Sequence, residues 1–247
     1  MRRKQVYILS ALALLFIIIG AGYIFCNHPF EKEPAVVEEE RYTYLPKYVH
    51  LSDYDDDFRD AAQILECDWT LIAAIAYTES RFDSTAISEA GARGVMQVMP
   101  NTMRGFNIPD SMHMDTRTNI MVATEYLRSL NRRFKYIRDP KERLNFILAS
   151  YNAGYGHVQD AMQLAKKYGK NRFVWNNSVD TFLILKKEPE FYKDSVCNNG
   201  RFTGWRETLS FVKKVQRYWD DFSTRQQQYT DSINIVVAND STKRIEE

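Results

Sequence analysis

The stretch Cys67-Asp-Trp-Thr-Leu-Ile-Ala-Ala-Ile-Ala-Tyr-Thr-Glu-Ser-Arg-Phe82 places the carboxyl of Glu79 near the end of a mostly apolar segment. Asp68 is a residue type that favours a helix N-cap, and the positions after it leave little polar face. The pattern predicts a buried helix with Glu79 in its last turn. There, the negative end of the helix dipole and the apolar surroundings both disfavour a charged carboxylate, so we expect its pKa to be raised. A carboxyl that stays protonated near neutral pH suits general acid catalysis.

Two further sequence blocks follow Glu79. The first is a glycine-punctuated turn, Gly91-x-x-Gly94-Val-Met-Gln97, and the second is Ser150-Tyr-Asn-Ala-Gly154. Each block alone is common, because Gly-x-x-Gly is usually just a turn and methionine usually fills core space. In this order after Glu79-Ser80, the blocks resemble the soluble-lytic-transglycosylase domain family over residues 52–222. The resemblance implies a mainly α, lysozyme-like fold of the goose-lysozyme and transglycosylase kind, and cleavage of peptidoglycan.

The resemblance also implies a role for individual residues. Glu79 would be the catalytic residue, and Ser80 and Tyr151 would hydrogen-bond near its carboxyl and the acetamido group of the sugar. The segment Glu207-Thr-Leu-Ser-Phe211-Val212 is similar to a late Glu-Thr-x-x-Tyr-Val segment of the family, with Phe211 in place of the tyrosine. The substrate-binding positions that the resemblance implies are Ser80, Met96, Gln97, Tyr151, Asn152 and Glu207, with Met96, Gln97 and Asn152 lining the groove.

Enzymes of this family, as the resemblance implies, cleave the β-1,4 bond between N-acetylmuramic acid and N-acetylglucosamine with one carboxyl. The 6-hydroxyl of the muramic acid replaces water, so a 1,6-anhydromuramoyl end forms. Two alternatives stay open. A muramidase hydrolase would share the fold but use water and a second carboxylate, for which Asp83, Asp110 and Asp115 are candidates. A non-catalytic wall-binding module would keep the aromatic residues but lose the acid, and the presence of Glu79 disfavours it.

Charge and cysteine content narrow the range of partners. The 33 basic and 32 acidic residues give a formal net charge of +1, and the basic residues are scattered, so no nucleic-acid partner is predicted. The three cysteines, Cys26, Cys67 and Cys197, fit neither a disulfide framework nor a metal-ligand spacing, and a Cys67–Cys197 pair stays open. Residues 53–57 lack the downstream glycine and glutamate of a calcium loop and are predicted to open a helix. We therefore predict no metal and no cofactor.

The N-terminal residues predict attachment to a membrane. Arg2-Arg3-Lys4 precedes the apolar run Val6–Phe25, which is long enough to cross a bilayer with the rest of the chain outside the cytoplasm. We predict that residues 1–26 are a membrane anchor or signal segment and that the catalytic domain lies in the periplasm. Lipidation at Cys26 is the alternative, although Phe25 is bulky where lipoprotein signals carry a small residue.

The remaining chain divides into three parts. Residues 27–50, rich in proline and glutamate, predict a flexible acidic linker of about 24 residues that spans on the order of 25–30 Å. Residues 51–222 predict the catalytic domain, with Val95–Met99 as an extended strip, helix starts at Pro100, Asp115 and Asp139, and a last helix over Arg206–Phe222. Residues 223–247 predict a polar, frayed C-terminal tail.

Overall fold

The computed structural model describes residues 47–245, so the predicted anchor, Cys26 and most of the linker lie outside the described residues. Within this part of the chain, strand pairing is limited to bridges that join Arg93 to Ile87 and to Val98. The expectation of a mainly α protein is therefore confirmed. No helix among the described residues has the length and hydropathy to cross a bilayer. The α-helices are α1 (Asp55–Leu65), α2 (Trp69–Ser80), α3 (Pro100–Gly105), α4 (Thr116–Arg133), α5 (Pro140–Ala153), α6 (Tyr155–Lys167), α7 (Asp180–Leu185), α8 (Pro189–Tyr192) and α9 (Trp205–Ile245).

Helix α2 is the buried helix that the opening stretch predicts. Every residue from Trp69 to Ala76 is buried, which explains why the helix lacks a polar face. The Asp68 side chain accepts a hydrogen bond from the Thr70 amide at 3.0 Å and so forms the expected N-cap. The other carboxylate oxygen of Asp68 accepts bonds from Trp219 and Ser223 of α9, each at 3.0 Å. The cap therefore also fastens α2 to the last helix.

The helix starts predicted from capping residues are confirmed. Asp115 accepts a hydrogen bond from the Thr118 amide at 2.8 Å, and Asp139 accepts one from the Lys141 amide at 2.8 Å. The apolar stripe of α4, from Ile120 to Leu130, is buried in the core. Helix α1 packs on α2 and on α4, and α5 packs between α4 and α6. This packing brings the C-terminal ends of α2 and α5 to the region described below.

Helix α9 does not end at Phe222, where the sequence analysis placed its end, but continues to Ile245. No glycine or proline follows Phe222 to stop it. Hydrogen bonds between side chains four residues apart support the added turns, for example Gln227 to Asp231 at 2.9 Å. Residues Tyr48–Ser232 make up one compact unit, and all structural features described below lie in it.

A buried ion pair joins α6 to the segments around α7. Lys186 is 0% exposed, and its Nζ lies 2.5 Å from the carboxylate of Asp160 and 3.0 Å from Nδ1 of His157. Asp160 also accepts hydrogen bonds from the amides of Asn198 and Asn199 at 3.0 and 2.9 Å. Burial alone would raise the pKa of Asp160, but these hydrogen bonds hold that pKa below its usual value. The pair therefore fixes the irregular loop before α9 against α6.

Candidate active site

Glu79 lies in the last turn of α2, as predicted, and is partly buried. The helix ends because Arg81 and Phe82 both adopt left-handed backbone angles, with φ of 60° and 67°. The Arg81 guanidinium lies over the rings of Tyr77 and Tyr218 at 4.5 and 5.5 Å, and it donates a hydrogen bond to the Tyr218 hydroxyl at 3.1 Å. These contacts join the end of α2 to α9 next to the carboxyl.

Residues 93–98 form a tight hairpin in front of α2. Arg93 and Val98 exchange backbone hydrogen bonds of 3.1 and 3.0 Å, and Gly94 and Gln97 have positive φ angles of 74° and 48°. The predicted extended strip over Val95–Met99 is therefore wrong for residues 95–97, which turn instead, and only Val98 and Met99 continue in extended form. The cause is the hydrogen bond from the Gln97 amide to the Gly94 carbonyl at 3.0 Å, which closes the turn.

Asn119 of α4 holds this hairpin, although the sequence analysis did not single it out. It is 0% exposed, accepts a hydrogen bond from the Met96 amide at 2.9 Å and donates one to the Arg93 carbonyl at 2.8 Å. A side chain at Gly94 would come within 2.8 Å of Asn119, so the glycine is required by close approach as well as by its φ angle. The one signal in the sequence was that Asn119 directly precedes Ile120, the first residue of the apolar stripe of α4.

Ser80 and Tyr151 bind successive carbonyl groups of the hairpin. The Ser80 hydroxyl donates to the Val95 carbonyl at 2.8 Å, and the Tyr151 hydroxyl donates to the Met96 carbonyl at 2.8 Å. The hairpin is thereby tied to the ends of α2 and α5. The Met96 side chain is 0% exposed, so the expectation that it lines the groove is corrected: it packs in the core, and its backbone carries the contacts.

The remaining residues predicted from the sequence are Gln97, Asn152 and Glu207, which belong to the hairpin, the end of α5 and the start of α9. The Gln97 side chain donates to the carbonyls of Ala86 and Gly94 at 3.1 and 3.0 Å, which stabilises the hairpin. Asn152 accepts a hydrogen bond from the Thr208 hydroxyl of α9 at 2.7 Å. This bond places the exposed Glu207 at the start of α9 beside the end of α5.

Phe211, one turn after Glu207, stacks on Tyr151. The two ring centres are 6.3 Å apart and the ring planes differ by 9°. Phe211 is 5% exposed, so its ring closes the space behind Tyr151 and does not face solvent. The ring contact and the hydroxyl bond to Met96 together hold Tyr151 in one orientation.

The electrostatic setting of Glu79 matches the expectation from sequence. Burial raises the pKa of Glu79 to about 8, and the negative charge of Glu207 adds to the rise. Burial and the nearby Glu79 also raise the pKa of Tyr151 well above its usual value. Among the described residues, no hydrogen bond of less than 3.5 Å engages the Glu79 carboxyl. Glu79 is therefore a protonated carboxyl near neutral pH with its proton free to be donated.

A cleft of about 230 Å³ lies beside this centre. Tyr151 belongs both to the wall of the cleft and to the surroundings of Glu79. The other side chains and backbone segments that line it come from the hairpin, α3, α4 and the end of α5: Gln97, Val98, Met99, Thr102, Ala123, Tyr126, Asn152, Ala153 and Gly154. The cleft therefore combines apolar side chains with the amide groups of Gln97 and Asn152, a mixture typical of small-ligand sites.

The three aspartates considered as partners of Glu79 have other contacts. Asp83 accepts hydrogen bonds from the amide and hydroxyl of Thr85 at 2.8 and 2.7 Å. Asp115 is the N-cap of α4, and Asp110 lies 3.4 Å from His113. The carboxylate whose charge acts on Glu79 is instead Glu207.

Comparison with known proteins gives a consistent set of relatives. Residues 56–174 match the family model described as the transglycosylase SLT domain. The chain is 37% identical over 179 residues to membrane-bound lytic murein transglycosylase F of Desulfosudis oleivorans, a match that covers 72% of this chain and 37% of the relative. It is 32% identical over 177 residues to the protein of the same name from Photobacterium profundum, covering 70% of this chain and 33% of the relative. The chain thus spans about a third of the length of these relatives.

Solved structures of similar proteins include an inactive mutant of lytic transglycosylase Slt from Pseudomonas aeruginosa. That match has a TM-score of 0.45 and 23% identity, and it covers 70% of this chain and 24% of the other. The 70 kDa soluble lytic transglycosylase from Escherichia coli matches with a TM-score of 0.45 and 26% identity, over 67% of this chain and 23% of the other.

Proposed function

The chain belongs, through residues 56–174, to the transglycosylase SLT domain family, and on that basis we propose that it is a lytic transglycosylase of peptidoglycan. The observation that carries the proposal is the partly buried Glu79 carboxyl, whose pKa is raised to about 8 at the end of α2. The substrate is the glycan strand, and the bond cleaved is the β-1,4 link from N-acetylmuramic acid to N-acetylglucosamine. The relatives named membrane-bound support a place in the cell envelope, with the apolar run Val6–Phe25 as the anchor and the domain in the periplasm.

The reaction uses Glu79 twice. In the first step the protonated carboxyl gives its proton to the glycosidic oxygen as the bond from that oxygen to C1 of muramic acid breaks. In the second step the carboxylate takes the proton of the muramic 6-hydroxyl as its oxygen bonds to C1. The 6-hydroxyl proton thus replaces the one that left with the glycosidic oxygen, Glu79 is protonated again, no water is consumed, and a 1,6-anhydro end forms. The cleft residues, including Tyr151 and Asn152, hold the sugar over the carboxyl.

The products test this proposal. Purified full-length protein acting on sacculi in ¹⁸O-labelled water is expected to release fragments that end in 1,6-anhydromuramic acid, carry no label and are lighter by one water than hydrolysis products. Mass spectrometry of the muropeptides measures both properties. Labelled reducing ends would instead identify the muramidase hydrolase. If no muropeptides are released at any pH tested, the wall-binding module would be favoured.

The hydrolase alternative requires a second carboxylate that positions water. The contacts of Asp83, Asp110 and Asp115 described above leave them engaged elsewhere, which supports the single-carboxyl mechanism. The charge of Glu207, in contrast, raises the pKa of Glu79. Removing the Glu207 carboxylate therefore tests whether it only shifts this pKa or takes part in the reaction itself.

Replacing Glu207 with glutamine is expected to shift the pH dependence of activity. Because Glu79 must be protonated to act as the acid, activity falls as the pH rises through its pKa of about 8. Removal of the Glu207 charge lowers that pKa, so the alkaline loss of activity should begin at a lower pH, while the activity below pH 6 is retained. Rates on sacculi from pH 5 to pH 9 measure the shift. Loss of activity at every pH would show that Glu207 takes part in the chemistry.

A further inference from the structure

The outer face of α9 carries a stripe of basic residues that catalysis does not use. Arg206, Lys213, Lys214 and Arg217 are all exposed. Positions 206, 213 and 217 lie seven and four residues apart, so at 3.6 residues per turn they share one face of the helix. The opposite face is buried and consists of Thr208, Phe211, Val212 and Val215. The basic stripe therefore points away from the core.

The charges of the basic stripe are not neutralised within the described part of the chain. None of its four cations lies within 4.0 Å of a carboxylate of residues 48–232, whereas Lys187 and Arg225 each have such a partner. The stripe ends at Arg217, because Asp220 and Asp221 come next along the helix. Four like charges on three turns of helix form a surface that attracts anions.

An aromatic ring lies at one end of the basic stripe. The Arg206 guanidinium lies 4.4 Å from the Trp205 ring centre, and the Lys187 ammonium lies 5.8 Å from it. Trp205 and Leu209 are only partly buried and line the same shallow groove as the stripe. Tryptophan flanked by cations is the combination that favours the headgroup region of a bilayer.

We infer that the basic stripe is a docking surface for anionic phospholipid headgroups, on which the domain rests while its cleft stays open to the wall. The inference rests on the membrane attachment proposed above, because the anchor would keep the stripe near a bilayer. Each Lys or Arg near an anionic surface strengthens association roughly fivefold. The stripe is separate from the cleft, which is lined by the hairpin, α3, α4 and the end of α5. Docking would set the orientation of the domain without blocking Glu79.

The test uses the full chain in phospholipid vesicles, either neutral phosphatidylcholine or phosphatidylcholine with phosphatidylglycerol. The amines are acetylated briefly, and mass spectrometry measures the reactivity of each lysine. Lys213 and Lys214 are expected to lose reactivity several-fold in the anionic vesicles only, and to recover it at high salt. The exposed Lys135 and Lys170 should react equally in both vesicles and serve as internal controls. Equal reactivity of Lys213 in both vesicles would overturn the inference.

Charge reversal gives an independent readout. A triple variant with Lys213, Lys214 and Arg217 changed to glutamate should lose the preference for anionic vesicles but keep the wild-type rate on soluble glycan strands. The matched control changes the exposed Lys135, Lys166 and Lys170 to glutamate, which alters the net charge equally. If the control variant loses the same preference, net charge and not the stripe is responsible, and the inference fails. Protection of Lys213 by sacculi but not by anionic lipid would also reject it in favour of a wall polymer.

The failure of this inference is distinguishable from failure of the proposed function. Flotation of the full chain with neutral vesicles reports on the anchor alone, because neutral lipid does not attract the stripe. The mass of the released muropeptides reports on the catalytic proposal alone. Lysine reactivity in anionic vesicles then reports on the stripe, whatever the other two measurements show.

Discussion

Changing Glu79 to glutamine is expected to lower the release of glycan fragments by at least about 10²–10⁴-fold, since the amide keeps the shape of the side chain but cannot deliver a proton. Binding to sacculi should persist, because the residues that line the cleft are unchanged. Initial rates of muropeptide release and a sedimentation assay with sacculi measure the two effects. The matched control is Glu89→Gln, which removes an exposed carboxylate from the loop after α2 and should leave the rate unchanged.

The stability of the Glu79→Gln variant provides a second check. The pKa of Glu79 is raised in the folded protein to about 8, so the unfolded chain releases this proton at a lower pH than the folded one. Wild-type stability therefore decreases as the pH rises from the ordinary glutamate value towards 8, by about 1.4 kcal/mol per pH unit. The glutamine variant escapes this loss and should be the more stable protein at pH 8. Full activity of the variant would show that another carboxyl carries the chemistry.

Changing Asp160 to asparagine is expected to destabilise the domain by roughly 3–5 kcal/mol, because the fully buried Lys186 ammonium would lose its counter-charge. Chemical denaturation of both proteins in the same detergent measures the difference. The pKa of Asp160 lies below its usual value, so the wild-type advantage is present above the ordinary aspartate pKa and is lost as the pH falls through the folded value.

A partly exposed ion pair on α4 gives the matched control for Asp160. Glu125 lies 2.7 Å from Arg128, but both side chains are substantially accessible to solvent. Changing Glu125 to glutamine should cost less than about 1 kcal/mol, because water screens the pair. Equal losses for the two variants would mean that the Asp160–Lys186 pair contributes no more than a surface contact.

Local sequence signals predicted most of the helices and the setting of Glu79. Asp68, Asp115 and Asp139 marked helix starts because a cap acts on amides two or three residues away, within reach of sequence reasoning. Glu79 follows an apolar segment at the end of a helix, so its burial and its raised pKa could also be predicted from the local sequence. The resemblance supplied the order of the motif residues, and in the structure two of them, Tyr151 and Glu207, interact electrostatically with Glu79.

Contacts between distant segments could not be predicted in this way. Asn119 reads as one more polar position of α4 until folding brings the hairpin against it. Met96 was expected to line the groove because of its position in the family motif, yet the turn directs its side chain into the core. The continuation of α9 past Phe222 depends on the absence of a stop signal, which periodicity of apolar residues does not report.

The two attachments of α9 restrict how the sequence can vary in length. Thr208 binds Asn152 beside the cleft, and Trp219 binds the Asp68 cap at the other end of α2. Between them, each inserted or deleted residue would turn the helix by about 100° and move it about 1.5 Å along its axis, so both attachments could not form at once. Over evolutionary time, insertions and deletions should therefore accumulate in the loop before Gly204 and after Ser223, while the spacing of the residues between Thr208 and Trp219 stays constant.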